Sequence, residues 1–146
     1  MSKDRHKVRV AVYVLLIRNN KIFLIRRKNT GWMDGKYGLP AGHLESNETV
    51  TEAAVRELQE ETGAETKVTN LRFVHLMHRK KEEDFEYIDI FFLCEEWQGE
   101  PVAAEPELSD GAGWFSLDKI PNNVIPNVKR AIENYRRTIL FSEFIG

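Results

Sequence analysis

Three glutamates near the middle of the chain, Glu57, Glu60 and Glu61, have the residue type and spacing that most directly indicate chemistry. Each residue of a helix turns by about 100°, so with Glu57 at zero, Glu60 falls at about 300° and Glu61 at about 40°. The three carboxylates would therefore share one stripe. That stripe borders the apolar one formed by Ala54 and Leu58, whereas a merely solvated face would lie opposite.

Carboxylates arranged in this way need a compensating positive charge. Like charges three or four residues apart on a helix repel, and acidic groups in the last turn meet the negative end of the helix dipole. A hard divalent cation such as Mg²⁺ or Mn²⁺ compensates both effects, because it takes oxygen ligands and can bridge to substrate phosphates. The spacing favours a metal site, and an acidic surface helix is the alternative.

The segments around the glutamates predict how they are positioned. Val50 to Thr62 contains neither Pro nor Gly and is followed by Gly63, which suits the left-handed residue beyond a helix end. We expect a helix here, with Ser46 or Asn47 as the capping residue at its start. Residues 28–47 are rich in Gly and should form a long irregular segment of the kind that carries function.

The remaining segments mix strands and helices. Apolar runs on either side of an Asn-Asn turn signal predict a β-hairpin, and helical spacing returns near the end of the chain. Because strands and helices do not alternate regularly, the pattern favours an α+β fold with a mixed β-sheet. The predicted strands are 8–17, 22–25, 68–77, 87–95 and a short one at Trp114 and Phe115, and the predicted second helix is 127–140.

The stretch from Gly42 to Gly63 resembles the complete signature of the Nudix hydrolases. Gly42 is followed after five residues by Glu48, and after seven more by Arg56-Glu57-Leu58-Gln59-Glu60-Glu61-Thr62-Gly63. Ala64 departs from the pattern, since the family usually has a larger aliphatic residue there, which concerns packing rather than chemistry. The resemblance implies the Nudix fold, an α/β/α sandwich with a mixed sheet between helices.

The resemblance also implies a role for the residues of the motif. In Nudix hydrolases this helix holds one or more Mg²⁺ ions against a diphosphate, and water attacks a phosphorus. By position, Glu60 and Glu61 would be metal ligands, and Glu57 either a further ligand or the base that activates water. Arg56 would orient Glu57 or a neighbouring carboxylate. The carbonyl of Gly42 would reach the metal, because a glycine lets the backbone approach closely.

Residues outside the helix complete the predicted site. Arg26, at the end of the second strand, resembles the arginine that contacts phosphate in MutT-like members, and strand alternation predicts that Arg27 points to the opposite face. His43, next to the first glycine of the motif, is predicted to contact the substrate. In the late loop, Glu105 or Glu107 would supply a further metal ligand or base, and a plain exposed glutamate is the alternative.

Composition and charge limit the partners of the protein. The chain has 146 residues, 42% hydrophobic and 30% charged, so we expect one Nudix domain over residues 1–146. A net charge of −2 gives no sign of a long nucleic acid or an anionic membrane as partner. Residues 1–9 are charged and no apolar run could span a bilayer, so a cytoplasmic location is expected. The apolar segments 139–141 and 144–145 either cover the core or form a homodimer contact.

The sequence therefore indicates hydrolysis of a diphosphate linkage in a nucleotide-like substrate, with Mg²⁺ or Mn²⁺ as cofactor. Residues 77–84 have neither the Pro of ADP-ribose hydrolases nor the Tyr of dinucleoside polyphosphate hydrolases. This favours a MutT-like enzyme that converts a nucleoside triphosphate to the monophosphate and pyrophosphate. A nucleoside diphosphate linked to a sugar or another group is the alternative substrate. A non-catalytic nucleotide-sensing or partner-binding module is the alternative class, although none of the three carboxylates is lost.

Overall fold

The computed structural model describes residues 4–146 and contains, in that part of the chain, eight β-strands and two α-helices. Residues 1–3, which belong to the charged start of the chain and to the predicted domain, lie outside the described residues. The elements are β1 (Arg9–Arg18), β2 (Lys21–Arg27), β3 (Tyr37–Gly38), β4 (Ala41–His43), α1 (Val50–Thr62), β5 (Leu71–Lys81), β6 (Phe85–Cys94), β7 (Ser109–Ser116), α2 (Pro126–Arg136) and β8 (Phe141–Ile145).

The sheet is mixed, with the strand order β3-β2-β1-β6-β5-β8. The β1–β6 and β5–β8 pairs are parallel, whereas β1–β2 and β5–β6 are antiparallel. β1 and β2 pair only next to their turn, at Ile17 with Ile22 and at Arg18 with Lys21. Beyond these pairs β1 continues along β4 and β6, while β2 pairs with β3 and β7. The hairpin therefore opens into two diverging strands.

Each helix covers one face of this sheet. α1 buries Ala54 and Leu58 against one apolar cluster, which includes Val14 of β1 and Cys94 of β6. α2 buries residues such as Ile132 in a second cluster on the other face. The α+β sandwich expected from the sequence is confirmed, and the first of the two clusters holds α1 in a fixed position over β1.

Helix α1 has the predicted extent but a different capping residue. The side chain of Thr49 accepts a hydrogen bond from the backbone N–H of Glu52, and the Glu52 carboxylate accepts one from the N–H of Thr49. This reciprocal capping box satisfies two free backbone donors of the first turn. The expectation that Ser46 or Asn47 caps the helix is therefore wrong, whereas Gly63 adopts the predicted left-handed conformation with φ of 79°.

The end of the chain differs from the prediction of a helix over residues 127–140. α2 ends at Arg136, Thr138 adopts a φ of 58°, and the following residues form strand β8 alongside β5. The buried His75 on β5 fixes this turn, because its Nδ1 donates to the carbonyl of Ile139 at 2.7 Å and its Nε2 lies 2.7 Å from the Ser142 hydroxyl. Pairing with a neighbouring strand therefore overrides the helical spacing.

The other predicted elements need small corrections. The strand expected over residues 68–77 begins at Leu71 after a short 3₁₀ turn and continues to Lys81. Of the apolar tail, Phe144 packs against the core, while Phe141 and Ile145 are exposed. Part of the tail thus covers the core, and the homodimer stays a prediction. Among residues 4–146, no helix has the length and apolar character needed to cross a membrane.

We predict that Thr49→Ala lowers the free energy of unfolding by about 1 kcal/mol, because it removes the acceptor of the capping box. The matched control is Ser46→Ala, which changes an exposed residue three positions earlier and should alter stability by less than about 0.5 kcal/mol. Urea denaturation measures both. A larger loss for Ser46→Ala than for Thr49→Ala would contradict the observed cap.

Candidate active site

A cavity of about 630 Å³ lies where β1 and β2 diverge. Ala11 and Tyr13 of β1 line one side, and Ile25 and Arg27 of β2 line the other. The end of the cavity next to α1 is polar and acidic. The interior is bordered by aromatic side chains. The site therefore combines a charged end and an aromatic end within one enclosure.

The charged end depends on a close contact between α1 and β4. A methyl group built on Gly42 would lie 2.1 Å from the carboxyl carbon of Glu57, far inside van der Waals contact. Gly42 pairs with Val12 of β1, so its backbone cannot easily move away. Only a glycine at this position leaves space for the Glu57 carboxylate beside the strand.

Arg56 joins the acidic residues to one another. Its Nη1 donates to Glu57 at 2.7 Å and, at a longer 3.4 Å, to Glu60. Its Nε and Nη2 both donate to the carboxylate of Glu48, at 3.0 and 2.8 Å, and Nη2 also donates to the carbonyl of His43. Two parallel hydrogen bonds from one guanidinium to a carboxylate hold the carboxylate in a defined orientation and also stabilise its negative charge. Arg56 therefore holds the helix carboxylates and the loop before α1 in one arrangement.

Glu61 is the most deeply placed carboxylate that lines the cavity. The backbone N–H of Ala41 donates to its Oε1 at 3.0 Å. Burial, together with the nearby charges of Glu57 and Glu105, raises the pKa of Glu61 to about 8 despite that hydrogen bond. The ionised form is thus destabilised in the free protein, and a cation placed beside it would stabilise it.

The late loop brings Glu105 to the same end. The N–H groups of Ala104 and Val102 donate to the carbonyls of Glu61 and Thr62, at 2.9 and 3.0 Å, so the loop satisfies free acceptors at the end of α1. Glu105 lines the cavity, and burial raises its pKa. Of the two loop glutamates considered from the sequence, only Glu105 is placed in the cavity.

The side chains of the two β2 arginines point in opposite directions, and Arg26, which was expected to contact phosphate, is the one that does not line the cavity. Arg26 points away from the cavity, donates to Asp110 at 2.6 Å and lies over the ring of Tyr37. Arg27 lines the cavity beside Ile25, and its Nε donates to the carbonyl of Trp32 at 2.8 Å. The two side chains alternate as predicted, and Arg27 rather than Arg26 lines the cavity, so a phosphate contact of Arg26 stays a prediction.

His43 lies at the mouth of the cavity, where substrate contact was expected. Its Nε2 is 3.0 Å from the hydroxyl of Tyr87, and the two rings stack with their centroids 5.6 Å apart. Sequence reasoning missed Tyr87 and Arg79, which also line the cavity. Arg79 faces inward because of a bulge between Phe73 and His75, and no sequence signal marks this bulge.

These residues fit a hard cation, although they do not form a finished ligand set. Within residues 4–146 no group of three His, Cys, Asp or Glu side chains is arranged to hold a metal ion. Glu57 and Glu60 are hydrogen-bonded to Arg56, and Glu60 is half exposed, so the expected convergence of three carboxylates is incomplete. The carboxylate oxygens, the space beside Gly42 and the destabilised charge of Glu61 nevertheless suit Mg²⁺ or Mn²⁺.

Comparisons with known proteins agree with this geometry. The NUDIX domain family matches residues 7–137. The 8-oxo-dGTP diphosphatase of Escherichia coli (strain K12) is 37% identical over 114 residues, 76% of this chain and 81% of that protein. The ADP-ribose pyrophosphatase of Methanocaldococcus jannaschii is 36% identical over 128 residues, 88% of this chain and 73% of that protein. The crystal structure of MutT NUDIX hydrolase from Burkholderia pseudomallei superposes with a TM-score of 0.80 at 27% identity, covering 88% of this chain and 98% of that one.

The family match extends from Lys7 to Arg137 and thus includes both helices, the acidic residues of α1 and the loop with Glu105. Nudix hydrolases generally use divalent metals, which agrees with the oxygen-rich end of the cavity. Because sequence and fold lead to the same family, the chain belongs to the Nudix hydrolases and is a pyrophosphohydrolase.

Proposed function

We propose that this enzyme hydrolyses a nucleoside triphosphate to the monophosphate and pyrophosphate in a reaction that depends on Mg²⁺. The observation that carries the proposal is one cavity with acidic groups and Arg27 at one end and aromatic walls at the other. Its volume of about 630 Å³ lies in the range typical of small-molecule sites. A triphosphate would lie at the charged end and the base among the rings.

The acidic end would hold the metal. Glu57, Glu60, Glu61 and Glu105, with the carbonyl of Gly42, supply the oxygen ligands that Mg²⁺ prefers. When bound, Mg²⁺ neutralises charge on the phosphate oxygens and so favours attack at phosphorus. The raised pKa of Glu61 supports this assignment, because a partly buried carboxylate among other carboxylates needs a compensating cation.

The remaining groups of the charged end have distinct tasks. Arg27 is the cation of β2 that lines the cavity, and its charge lowers the pKa of Glu61, so the two side chains are close enough to interact. A guanidinium in this position would bind phosphate oxygens. Arg56 would act as a positioning residue, because its donors hold Glu57 and Glu48 together. One of the carboxylates would accept the proton of the attacking water.

A nucleoside diphosphate linked to a sugar or another group is the second candidate substrate. It is favoured by the 36% identity to the Methanocaldococcus jannaschii protein named as an ADP-ribose pyrophosphatase. Both candidates place a diphosphate beside α1, and they differ in what is attached beyond it. Product analysis therefore separates them.

A product screen tests the proposed reaction. Purified protein is incubated with nucleoside triphosphates, nucleotide sugars, ADP-ribose and dinucleoside polyphosphates, in Mg²⁺ and in excess chelator. We expect pyrophosphate and a nucleoside monophosphate from a triphosphate in Mg²⁺ alone. Cleavage of only a linked diphosphate would transfer the assignment to the second candidate, and equal turnover in chelator would contradict the metal site.

Gly42→Ala tests the contact that shapes the metal site. Because the added methyl group would meet the Glu57 carboxylate at 2.1 Å, the carboxylate must move, and we expect at least a tenfold higher Mg²⁺ concentration for half-maximal activity. The control is Gly111→Ala, where a methyl group meets no atom within 4 Å. Identical Mg²⁺ dependence in the two variants would be evidence against the role of Gly42.

Glu61→Gln tests the buried carboxylate without changing its shape. We expect hydrolysis to fall by about a hundredfold or more, as for loss of one preorganised electrostatic group. Stability without metal should be unchanged or higher, because a buried ionisable group is replaced by a neutral one. The exposed Glu65→Gln just beyond α1 is the control, and addition of Mg²⁺ should raise the melting temperature of that variant but not of Glu61→Gln. Unaltered turnover in Glu61→Gln would remove Glu61 from the site.

The adjacent arginines of β2 provide a matched pair. Arg27→Ala should raise the KM for a triphosphate about tenfold, the effect of one lost hydrogen bond to a charged group. Arg26→Ala should leave KM within about twofold, because Arg26 pairs with Asp110 outside the cavity. Steady-state kinetics measure both variants. The reverse order would restore the original assignment of Arg26.

A further inference from the structure

The inner end of the cavity contains a buried ion pair that the hydrolysis itself does not require. Arg79 Nε donates to Asp89 at 2.6 Å and Nη2 donates to the other Asp89 oxygen at 3.3 Å. The hydroxyl of Tyr13 donates to Asp89 at 3.3 Å. Asp89 is fully buried and Arg79 is 6% exposed, so both charges are shielded from solvent. Such a pair is a costly feature, and its position at a ligand cavity suggests a role in recognition.

Arg79 keeps one donor available in this arrangement. The hydrogen bonds of its guanidinium to residues 4–146 use Nε and Nη2, and none uses Nη1. Among the described residues, Asn127 Nδ2 is the buried side-chain donor or acceptor that lacks a partner. Because Nη1 of Arg79 also lacks a partner, it is not buried, and it is accessible from the cavity that Arg79 lines. A buried guanidinium with an accessible amino group is a hydrogen-bond donor for a ligand.

A second unmatched donor lies at the same end. Asn127, in the first turn of α2, is 3% exposed and lines the cavity. Its amide interacts with the Tyr13 hydroxyl and the Asp89 carboxylate and favours the ionised form of each. These contacts are too long to be full hydrogen bonds, so among the described residues its Nδ2 has no acceptor within hydrogen-bond distance. Buried amide donors are nearly always paired in native proteins. An acceptor that enters the cavity would satisfy this amide together with Arg79.

The surroundings indicate what carries this acceptor. The guanidinium of Arg79 lies 4.4 Å from the ring centroid of Tyr87, 5.1 Å from that of Phe85 and 5.9 Å from that of Trp32. All three aromatic residues line the cavity and suit a planar heterocycle. Asp89 neutralises the charge of Arg79, so this end favours a neutral acceptor such as a carbonyl oxygen over an anionic group.

We propose that Arg79 and Asn127 select substrates whose base presents an exocyclic oxygen at its buried edge, and that they disfavour bases with an amino group there. The inference rests on the proposed function, because it places the base of the nucleotide at the inner end and the phosphates beside Arg27. An amino group would place its hydrogens against the donors of Arg79 and Asn127, and neither the amino group nor these donors would then have an acceptor. Unpaired polar groups of this kind make a site discriminate against the wrong base. Hypoxanthine and guanine carry this oxygen at C6 and uracil carries it at C4, whereas adenine and cytosine have an amino group at the corresponding position.

Binding of nucleoside monophosphates tests the selection without requiring turnover. Calorimetry with the full chain in Mg²⁺ compares IMP with AMP and UMP with CMP, pairs in which an amino edge is exchanged for an oxo edge. We expect the oxo member of each pair to bind about tenfold more tightly, the factor for one hydrogen bond to a charged donor. Equal affinities, or tighter binding of AMP and CMP, would overturn the proposal.

Two variants assign the effect to the named residues. Arg79→Lys keeps a cation beside Asp89 and removes the forked donors, and Asn127→Leu removes the amide at similar volume. Each should bring the IMP-to-AMP ratio to within about threefold of unity. The controls are Arg72→Lys on the same strand and Asn134→Leu on the same helix, where the asparagine is also buried; neither residue lines the cavity. A wild-type ratio that persists in both site variants would also overturn the proposal.

The same protein samples separate this inference from the proposed reaction. Selective binding of IMP by a protein that cleaves no triphosphate would contradict the reaction and still support the selection. Triphosphate hydrolysis with equal binding of IMP and AMP would support the reaction and overturn the selection.

Discussion

The close approach of Glu57 to the backbone of Gly42 is the contact on which the rest of the site depends. Because Gly42 has no side chain, the Glu57 carboxylate of α1 can lie directly against β4. Arg56 then links Glu57, Glu60 and Glu48 by hydrogen bonds. Thr49 caps the helix and so sets its first residue, which determines that Glu57 faces Gly42. The acidic groups are therefore held by backbone geometry and one guanidinium before any cation is present, which reduces the reorganisation that binding requires.

The divergence of β1 from β2 explains why the charged groups face a cavity. Because the two strands pair only beside their turn, their inward residues border a space instead of a packed core. The loop that carries Glu105 closes one end by donating to the last carbonyls of α1, so the end of the helix and the acidic end of the cavity are stabilised together. At the other end the Arg79–Asp89 pair contributes polarity without net charge. One cavity thus offers a charged environment for the phosphates of a nucleotide and a polar but uncharged environment for its base.

The sequence predicted the parts of this arrangement that depend on local spacing. The extent of α1, its glycine end and the family were predictable because they follow from helical periodicity and from fixed intervals between Gly42, Glu48 and Arg56. The parts set by tertiary contacts were not. Arg27 could not be separated from Arg26 without knowing which face of β2 borders the cavity, and the inward direction of Arg79 depends on a bulge in β5. Residues 141–145 form a strand because β5 offers an edge, although the helical spacing continues to Ile139.

The proposed reaction requires a metal site at the end of the cavity beside Gly42. Anomalous diffraction from crystals grown with Mn²⁺ and a non-hydrolysable triphosphate analogue would test it most directly. We expect an anomalous peak at about 2.0–2.3 Å, the usual range for a small hard cation, from oxygens of Glu57 or Glu61, with phosphate oxygens completing the coordination. A peak found instead at the exposed acidic group of Glu95, Glu96 and Glu100, with none beside Gly42, would contradict it.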